Sequence, residues 1–314
     1  VISCPLTSSS PLTTRSSRIS ESVTIDFFMQ KFESTKLLLL YAMATDIRNI
    51  SKITTKRGTY PLIRLTTISS TNDYAFELLR NPEIPPEVIV IADHQTKGKG
   101  QMGRKWHNSP GKNLNLSYII KGITSVPTVF NMAIALGVLE SVRMFSLKEG
   151  IKKSDFYIKW PNDIVASKDS KIRKIAGILI ENTWRGETQA ASIVGVGVNL
   201  DYSFSKERLS EFNLMPGNLN DYLHDRISVI NLELPIINSI QNRIHMLSKE
   251  RGAKKILEDF NKELFGLSDK RLYTINNKSF KGTLLKVEKD GRGVFSSIER
   301  ENIKVQASNV IWSF

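Results

Sequence analysis

The chain has 314 residues, 40% of them apolar, enough for a full hydrophobic core with room for two domains. A formal charge of +13 points to phosphates, acidic proteins or a membrane surface as partners and says nothing about fold. The single cysteine, Cys4, excludes an internal disulfide and a thiolate metal cluster, and no apolar run reaches the roughly 20 residues that span a bilayer.

Residues 1–24 form a Ser/Thr-rich tract with Arg15 and Arg18 that cannot bury enough apolar area to order itself. It reads either as a targeting segment or as non-native sequence upstream of a later start such as Met43. Residues 1–59 are therefore expected to be an unstructured or non-native extension, with regular structure beginning near Tyr60. "YPLIRLTTI" reads as a strand and "TNDYAFELLR" as a short helix capped by Thr71 or Asn72. "EVIVIAD" (87–93) is a buried strand, and "NLNLSYII" (113–120) alternates as a half-buried strand does. "TVFNMAIALGVLESVRMF" is apolar on nearly every side, which predicts a core helix covering a sheet. Four β-rich runs follow: "DFYIKW", "DIVAS", "KIAGILIEN" and "AASIVGVGVNL". A helical stretch is predicted over about 232–264. After it come short strands with turns at Asn276-Asn277 and Asp290-Gly291, so 268–314 reads as a small β-barrel behind a domain over 60–267.

The segment "HQTKGKGQMGRKW" (94–106) carries Gly98-x-Gly100-x-x-Gly103, and no acid lies between His94 and Ile120. It is not a dinucleotide fingerprint, because a strand rather than a helix follows "HNSPGKN". Nor is it a Walker loop, since Arg104-Lys105 stand where Lys-Ser/Thr belongs. The glycines let backbone amides approach a phosphate, and Lys97, Lys99, Arg104 and Lys105 compensate its charge. Met102 and Trp106 are costly to expose and suit lids over an organic ligand. The four histidines lack the spacing of a helical metal site, so no protein-held metal is expected.

"SSTN" (69–72), "QTKGKGQMGRKW" (95–106), "KWPND" (159–163), "KIAGILIE" (174–181) and "GVGVN" (195–199) stand together in one order and spacing. In them the chain, from about Ile63 onward, resembles the biotin–protein ligases, also called biotin–[acetyl-CoA-carboxylase] ligases. The resemblance implies an α+β fold: a mixed sheet flanked by helices, of the class II synthetase-like kind, with a small C-terminal SH3-like barrel. It implies that biotin attacks the α-phosphate of ATP, with Mg²⁺ accompanying the nucleotide, and that biotinyl-5′-AMP then acylates a lysine of a carboxylase carrier domain.

Carried over residue by residue, Ser70, Thr71, Asn72 and Gln95 match the polar contacts to biotin's ureido ring. Lys99, Gly100, Gln101, Gly177 and Gly195 complete the biotin site. Lys174 would meet the biotin carboxylate, with Lys159, Asp163 and Arg104 at the reacting centre. Asp163 could orient Lys159, help bind Mg²⁺ or assist the incoming lysine. Gly98, Lys99, Gly103, Arg104, Lys105, Trp106, Asn162 and Asn199 would hold ATP and the adenylate, with Asn199 reading the adenine edge. Two departures stand out: Lys99 and Gln101 occupy positions that many members fill with Arg. Lys99 loses the bidentate fork, and Gln101 predicts a faster-escaping adenylate.

Two other functions compete with this one: a lipoate or octanoate ligase of the same superfamily, and a non-catalytic basic nucleic-acid-binding protein. The first lacks this set of motifs, and the second lacks clustered aromatics on the barrel strands. Residues 1–60 show no winged helix-turn-helix pattern, so the expected partner is the carrier domain rather than DNA or a membrane. A cytoplasmic setting and a homodimer complete the expectation.

Overall fold

A computed structural model describes residues 47–203, 212–275, 278–297 and 302–313. The main sheet begins earlier than Tyr60. Strand β1 (Ile47–Thr55) turns at Gly58 into β2 (Gly58–Ile68) and pairs with it antiparallel. The 1–59 boundary is corrected to that extent: "IRNISKITT" is a sheet edge, and its charged and hydroxyl side chains, which suit an edge strand, hid it. Residues 1–46 lie outside the described part.

From β2 the chain passes through helix α1 (Thr71–Leu78) to β3 (Glu87–Gln95), parallel to β2, and then to the antiparallel β4 (Asn113–Lys121). Helix α2 (Pro127–Val142) follows, and then β5 (Phe156–Lys159), β6 (Asp163–Lys168), β7 (Lys171–Arg185) and β8 (Thr188–Asn199). The eight strands lie in the order β1-β2-β3-β4-β8-β7-β6-β5. This is a mixed sheet flanked by helices, as the resemblance implies.

β4 departs from the half-buried reading, because residues 113–120 are all buried. Leu114, Leu116 and Tyr118 enter the core on one face. Asn113, Asn115 and Ser117 are buried just as fully, and α1 packs across the strand. A polar row that deep needs partners, which makes it a wall of a site rather than a solvated face.

α2 is buried on nearly all sides, with Pro127 at its start, where its missing N–H costs nothing. It crosses the next helix, α3 (Val229–Leu247), at Gly137. A methyl group there would lie 2.8 Å from the Ile240 backbone, so glycine sets the closeness of the two helices. The single helical stretch predicted over 232–264 is two helices. Arg251, in the left-handed conformation at φ 59°, breaks the chain between α3 and α4 (Gly252–Lys262). Gly252 follows directly, where a Cβ would lie 1.8 Å from Met246 O, but the helical periodicity runs through the break.

The C-terminal strands are β9 (Lys270–Ile275), β10 (Lys278–Val287), β11 (Gly293–Ser297), β12 (Ile303–Val305) and β13 (Val310–Trp312). They form a small antiparallel sheet in the order β12-β11-β10-β9-β13, compatible with an SH3-like fold. Gly291, at φ +85°, turns β10 into β11 as expected; the Asn276-Asn277 turn lies outside the described residues. Tyr273 stacks edge-on against Phe295 at 4.9 Å and Trp312 at 5.2 Å between ring centroids. Phe295 also lies 6.2 Å from Trp160, which precedes β6 of the main sheet. The two sheets are separate in hydrogen bonding but share one packed core.

Candidate active site

The glycine segment between β3 and β4 is a small hairpin. Trp106 N donates to Gly98 O (2.9 Å) and Gly100 N to Arg104 O (2.7 Å), and a tight turn over Gln101–Gly103 closes the tip. Met102 (φ 56°) and Gly103 (φ 73°) take left-handed conformations there. Gly98 is required by closeness: a Cβ would sit 2.5 Å from the Trp106 carbonyl oxygen. The glycines therefore shape a flap rather than a helix entry, as the sequence context argues. Lys97, Arg104 and Lys105 are exposed along it, and Met102 is 70% exposed at its tip. Lys99, expected among both the biotin and the phosphate contacts, pairs with Asp73 on α1.

Beneath the flap lies a polar notch. Ser70 is the helix cap, its Oγ accepting from Asp73 N at 3.4 Å, which corrects the choice of Thr71 or Asn72. Those two residues sit in the first turn with buried side chains. Gln95 Oε1 accepts from Thr71 N (2.8 Å) and Thr71 Oγ1 (3.1 Å), and Gln95 Nε2 donates to Asn115 Oδ1 (3.1 Å). Ser117 Oγ lies 2.6 Å from Asn72 Oδ1 and 2.8 Å from Thr71 Oγ1. Asn115 and Ser117 were not singled out by sequence reasoning. The signal available was the asparagine–serine phase of β4, which alternation alone assigns to solvent.

The floor is bare strand. Gly177, Gly195 and Gly197 line a cavity of about 50 Å³. Each glycine makes room for a protein group: a Cβ at Gly195 would lie 2.5 Å from Asn72 Oδ1, and one at Gly197 would lie 2.4 Å from the Trp106 ring. Trp106 is half-buried, and its Nε1 donates to Asn115 Oδ1 at 3.2 Å.

Lys174 and Gly177 are three apart on β7 and should point to opposite faces of a regular strand. A bulge corrects this. β6 pairs Ile164 with Ala176 but Val165 with Lys174, so Ile175 is the extra residue and Lys174 and Gly177 both face the notch. Lys174 Nζ lies 2.7 Å from Asp163 Oδ1 and 5.7 Å from the centre of the Trp106 ring. Lys159 Nζ is 3.9 Å from Asp163 Oδ2. Burial alone would push the Asp163 carboxyl up, but Lys174, Lys159 and Arg104 outweigh it and hold it below the ordinary carboxylate value. Burial pushes the Lys159 amine down.

A carboxyl depressed in the folded state stabilises fully above its unfolded value, and that contribution is lost as pH falls through the folded one. The melting difference between wild type and Asp163→Asn should thus hold from neutral pH down to about pH 4 and narrow only below it. A difference already closing at pH 6 would contradict this.

Asn162 and Asn199, expected at the nucleotide, use their amides inside the fold. Asn162 Nδ2 donates to Ile178 O (2.6 Å). Asn199 Nδ2 donates to Lys174 O (3.2 Å), and its Oδ1 accepts from Asn113 Nδ2 (3.0 Å). Asn199 thereby holds the Lys174 backbone. Both residues still line a second cavity of about 740 Å³, with Arg104, Lys105, Lys159, Trp160 and Trp312. No group of three His, Cys, Asp or Glu among the described residues could hold a metal ion, and no helix among them is long and apolar enough to cross a membrane.

Residues 65–199 match the Biotin/lipoate A/B protein ligase family. The chain is 33% identical over 143 residues to the bifunctional ligase/repressor BirA of Bacillus spizizenii, covering 45% of this chain and 40% of that protein. It is 33% identical over 153 residues to biotin–protein ligase 2 of Arabidopsis thaliana, covering 48% and 44%. It thus spans less than half the length of these relatives. Its fold is that of the Aquifex aeolicus biotin protein ligase solved with biotin and ATP, at a TM-score of 0.63 and 21% identity over 79% of this chain and 97% of that one. Notch, flap and lysine pair all draw on residues 65–199, the stretch that matches the biotin/lipoate A/B protein ligase family.

Proposed function

We propose that the chain activates biotin with ATP and transfers the biotinyl group to a lysine of a biotin carboxyl carrier domain. One arrangement carries this reading: two buried-side lysines meet Asp163 where the polar notch opens into the larger cavity. The notch offers amide and hydroxyl groups suited to a cyclic urea, which has one acceptor oxygen and two N–H donors. The 740 Å³ cavity falls within the roughly 300–1,000 Å³ of small-molecule sites and is lined by cations fit for a triphosphate.

In the first step a biotin carboxylate oxygen bonds to the α-phosphorus and the bond to the β-phosphate bridging oxygen breaks, releasing pyrophosphate. Two anions must approach, and Lys174 and Lys159 offset their repulsion. In the second, the neutral amine of the carrier lysine bonds to the acyl carbon, AMP leaves with the electron pair of the mixed anhydride, and the nitrogen's surplus proton passes to solvent. Of the three roles open to Asp163, orienting the lysines fits best. A carboxylate held down by three cations is a weak base, and both its oxygens face lysines. The same pairing leaves no carboxylate cage for Mg²⁺ there, so the ion belongs to the nucleotide's phosphates.

At 50 Å³ the notch is smaller than its ligand, because the Trp106 ring lies over Gly197. Biotin enters as that indole shifts, and the flap then covers the adenylate and excludes water. Incubation with ATP, Mg²⁺ and a carrier domain should label the carrier with biotin and not with lipoate. Labelling with lipoate alone would replace this reading by the rival ligase.

A further inference from the structure

Asn72 has a neighbour that the reading above leaves without a role. Its Nδ2 donates to Glu181 Oε2 at 2.8 Å and approaches Leu179 O at 3.4 Å, while its Oδ1 lies 2.6 Å from Ser117 Oγ. Asn72 is 4% exposed, whereas Glu181 sits at the rim with its side chain exposed. An amide has two ends that differ only in donor and acceptor character, and nothing in its shape fixes which end faces a ligand. Here the partners fix it. A carboxylate only accepts, so Glu181 takes the NH₂ end, and Oδ1 is left on the side of Gly195, whose missing side chain makes room for it. Ser117 Oγ has one proton and reaches two oxygens, Asn72 Oδ1 at 2.6 Å and Thr71 Oγ1 at 2.8 Å; whichever takes it, Asn72 Oδ1 keeps a lone pair for a ligand.

The geometry points to Glu181 as a positioning residue that holds the Asn72 amide with its oxygen toward the notch, so that the pocket selects ligands bearing an N–H donor. This rests on the biotin reading: the donor is an N–H of the ureido ring, which the disulfide ring of lipoate and the chain of octanoate lack. Leu179 O by itself cannot hold the amide, since 3.4 Å is a long contact for an N–H donor. Lys99 and Asp73 pair beside the same rim and leave Glu181 the Asn72 contact.

The test measures biotin-dependent ATP–pyrophosphate exchange for wild type, Glu181→Ala, Glu181→Gln, Asn72→Ala and the Asn72→Ala/Glu181→Ala double variant. Glu181→Ala should raise the biotin KM about tenfold, the scale of one hydrogen bond, with kcat and the ATP KM within about twofold. Glu181→Gln keeps an acceptor oxygen and should return the biotin KM to within about threefold of wild type. On the Asn72→Ala background, removing Glu181 should change the biotin KM less than about twofold, because the group it acts through is gone. A biotin KM for Glu181→Ala within twofold of wild type overturns the inference and leaves the ligase reading standing. So does a matching rise in the ATP KM, or effects that multiply in the double variant. A folded wild type with no biotin-dependent exchange removes both.

Discussion

Replacing Lys174 with alanine is expected to lower biotin-dependent pyrophosphate exchange by roughly two to three orders of magnitude, the cost of removing one preorganised charge contact at a reacting centre. The bulge at Ile175 exists to aim this side chain, Gly217 N and Asn199 Nδ2 both bond its backbone oxygen, and Asp163 fixes its ammonium. So much support implies a side chain that must not wander. The loss should fall on the first step. Supplied with ready-made biotinyl-AMP, the variant should transfer to the carrier within about tenfold of wild type, because no carboxylate charge then needs neutralising. Asp163 keeps Lys159 as a partner, so the melting temperature should move little. Exchange within threefold of wild type would remove Lys174 from the chemistry, and a collapsed melting temperature would make it structural.

Removing Arg64 should produce the largest loss of stability among the ion pairs. Its two terminal nitrogens donate to the two oxygens of Glu233 at 2.7 and 2.6 Å, tying β2 to α3. The Glu233 side chain is 4% exposed and that of Arg64 26%. Arg64→Ala strands a buried carboxylate, for which about 3 kcal/mol is expected, or about 8 °C in melting temperature at this size. Lys254→Ala, which removes an exposed pair with Glu258, should stay within about 0.5 kcal/mol. Arg64→Met combined with Glu233→Leu should regain most of the loss, because the two apolar side chains leave nothing unsatisfied. Calorimetric melting of the four proteins decides it. Equal losses for Arg64→Ala and Lys254→Ala would refute the argument.

Much of the fold can be read along the chain because local patterns agree with tertiary placement. β3, α2 and the four strands from β5 to β8 all announce themselves by apolar content and period. What escapes is set by contacts made across the sequence. β1 is a strand only because β2 is there to pair with it, and its polar surface reads as loop. The break at Arg251 depends on a left-handed arginine, a residue type that does not announce that conformation, and the Gly252 beside it reads as one more position in a helical run. In the site, the motifs deliver Lys174, Gln95 and the Ser70–Asn72 turn, yet they give no hint that Lys174 and Gly177 share a face. That needs the extra residue in β7, which appears only once strands are registered. The roles of Asn115, Ser117 and Glu181 stay hidden for a related reason. Each takes its meaning from a side chain more than 15 residues away: Gln95 for Asn115, and Asn72 for the other two.

The ring contact joining Trp160 to Phe295 packs the loop between β5 and β6 against the C-terminal strands. A chain cut after Leu267 would bare an indole that is now 2% exposed, along with the segment from Lys159 to Asp163 that leans on it. The tail is therefore no removable appendage. Damage to its aromatic cluster is expected to shift Trp160 and, with it, the segment from Lys159 to Asp163.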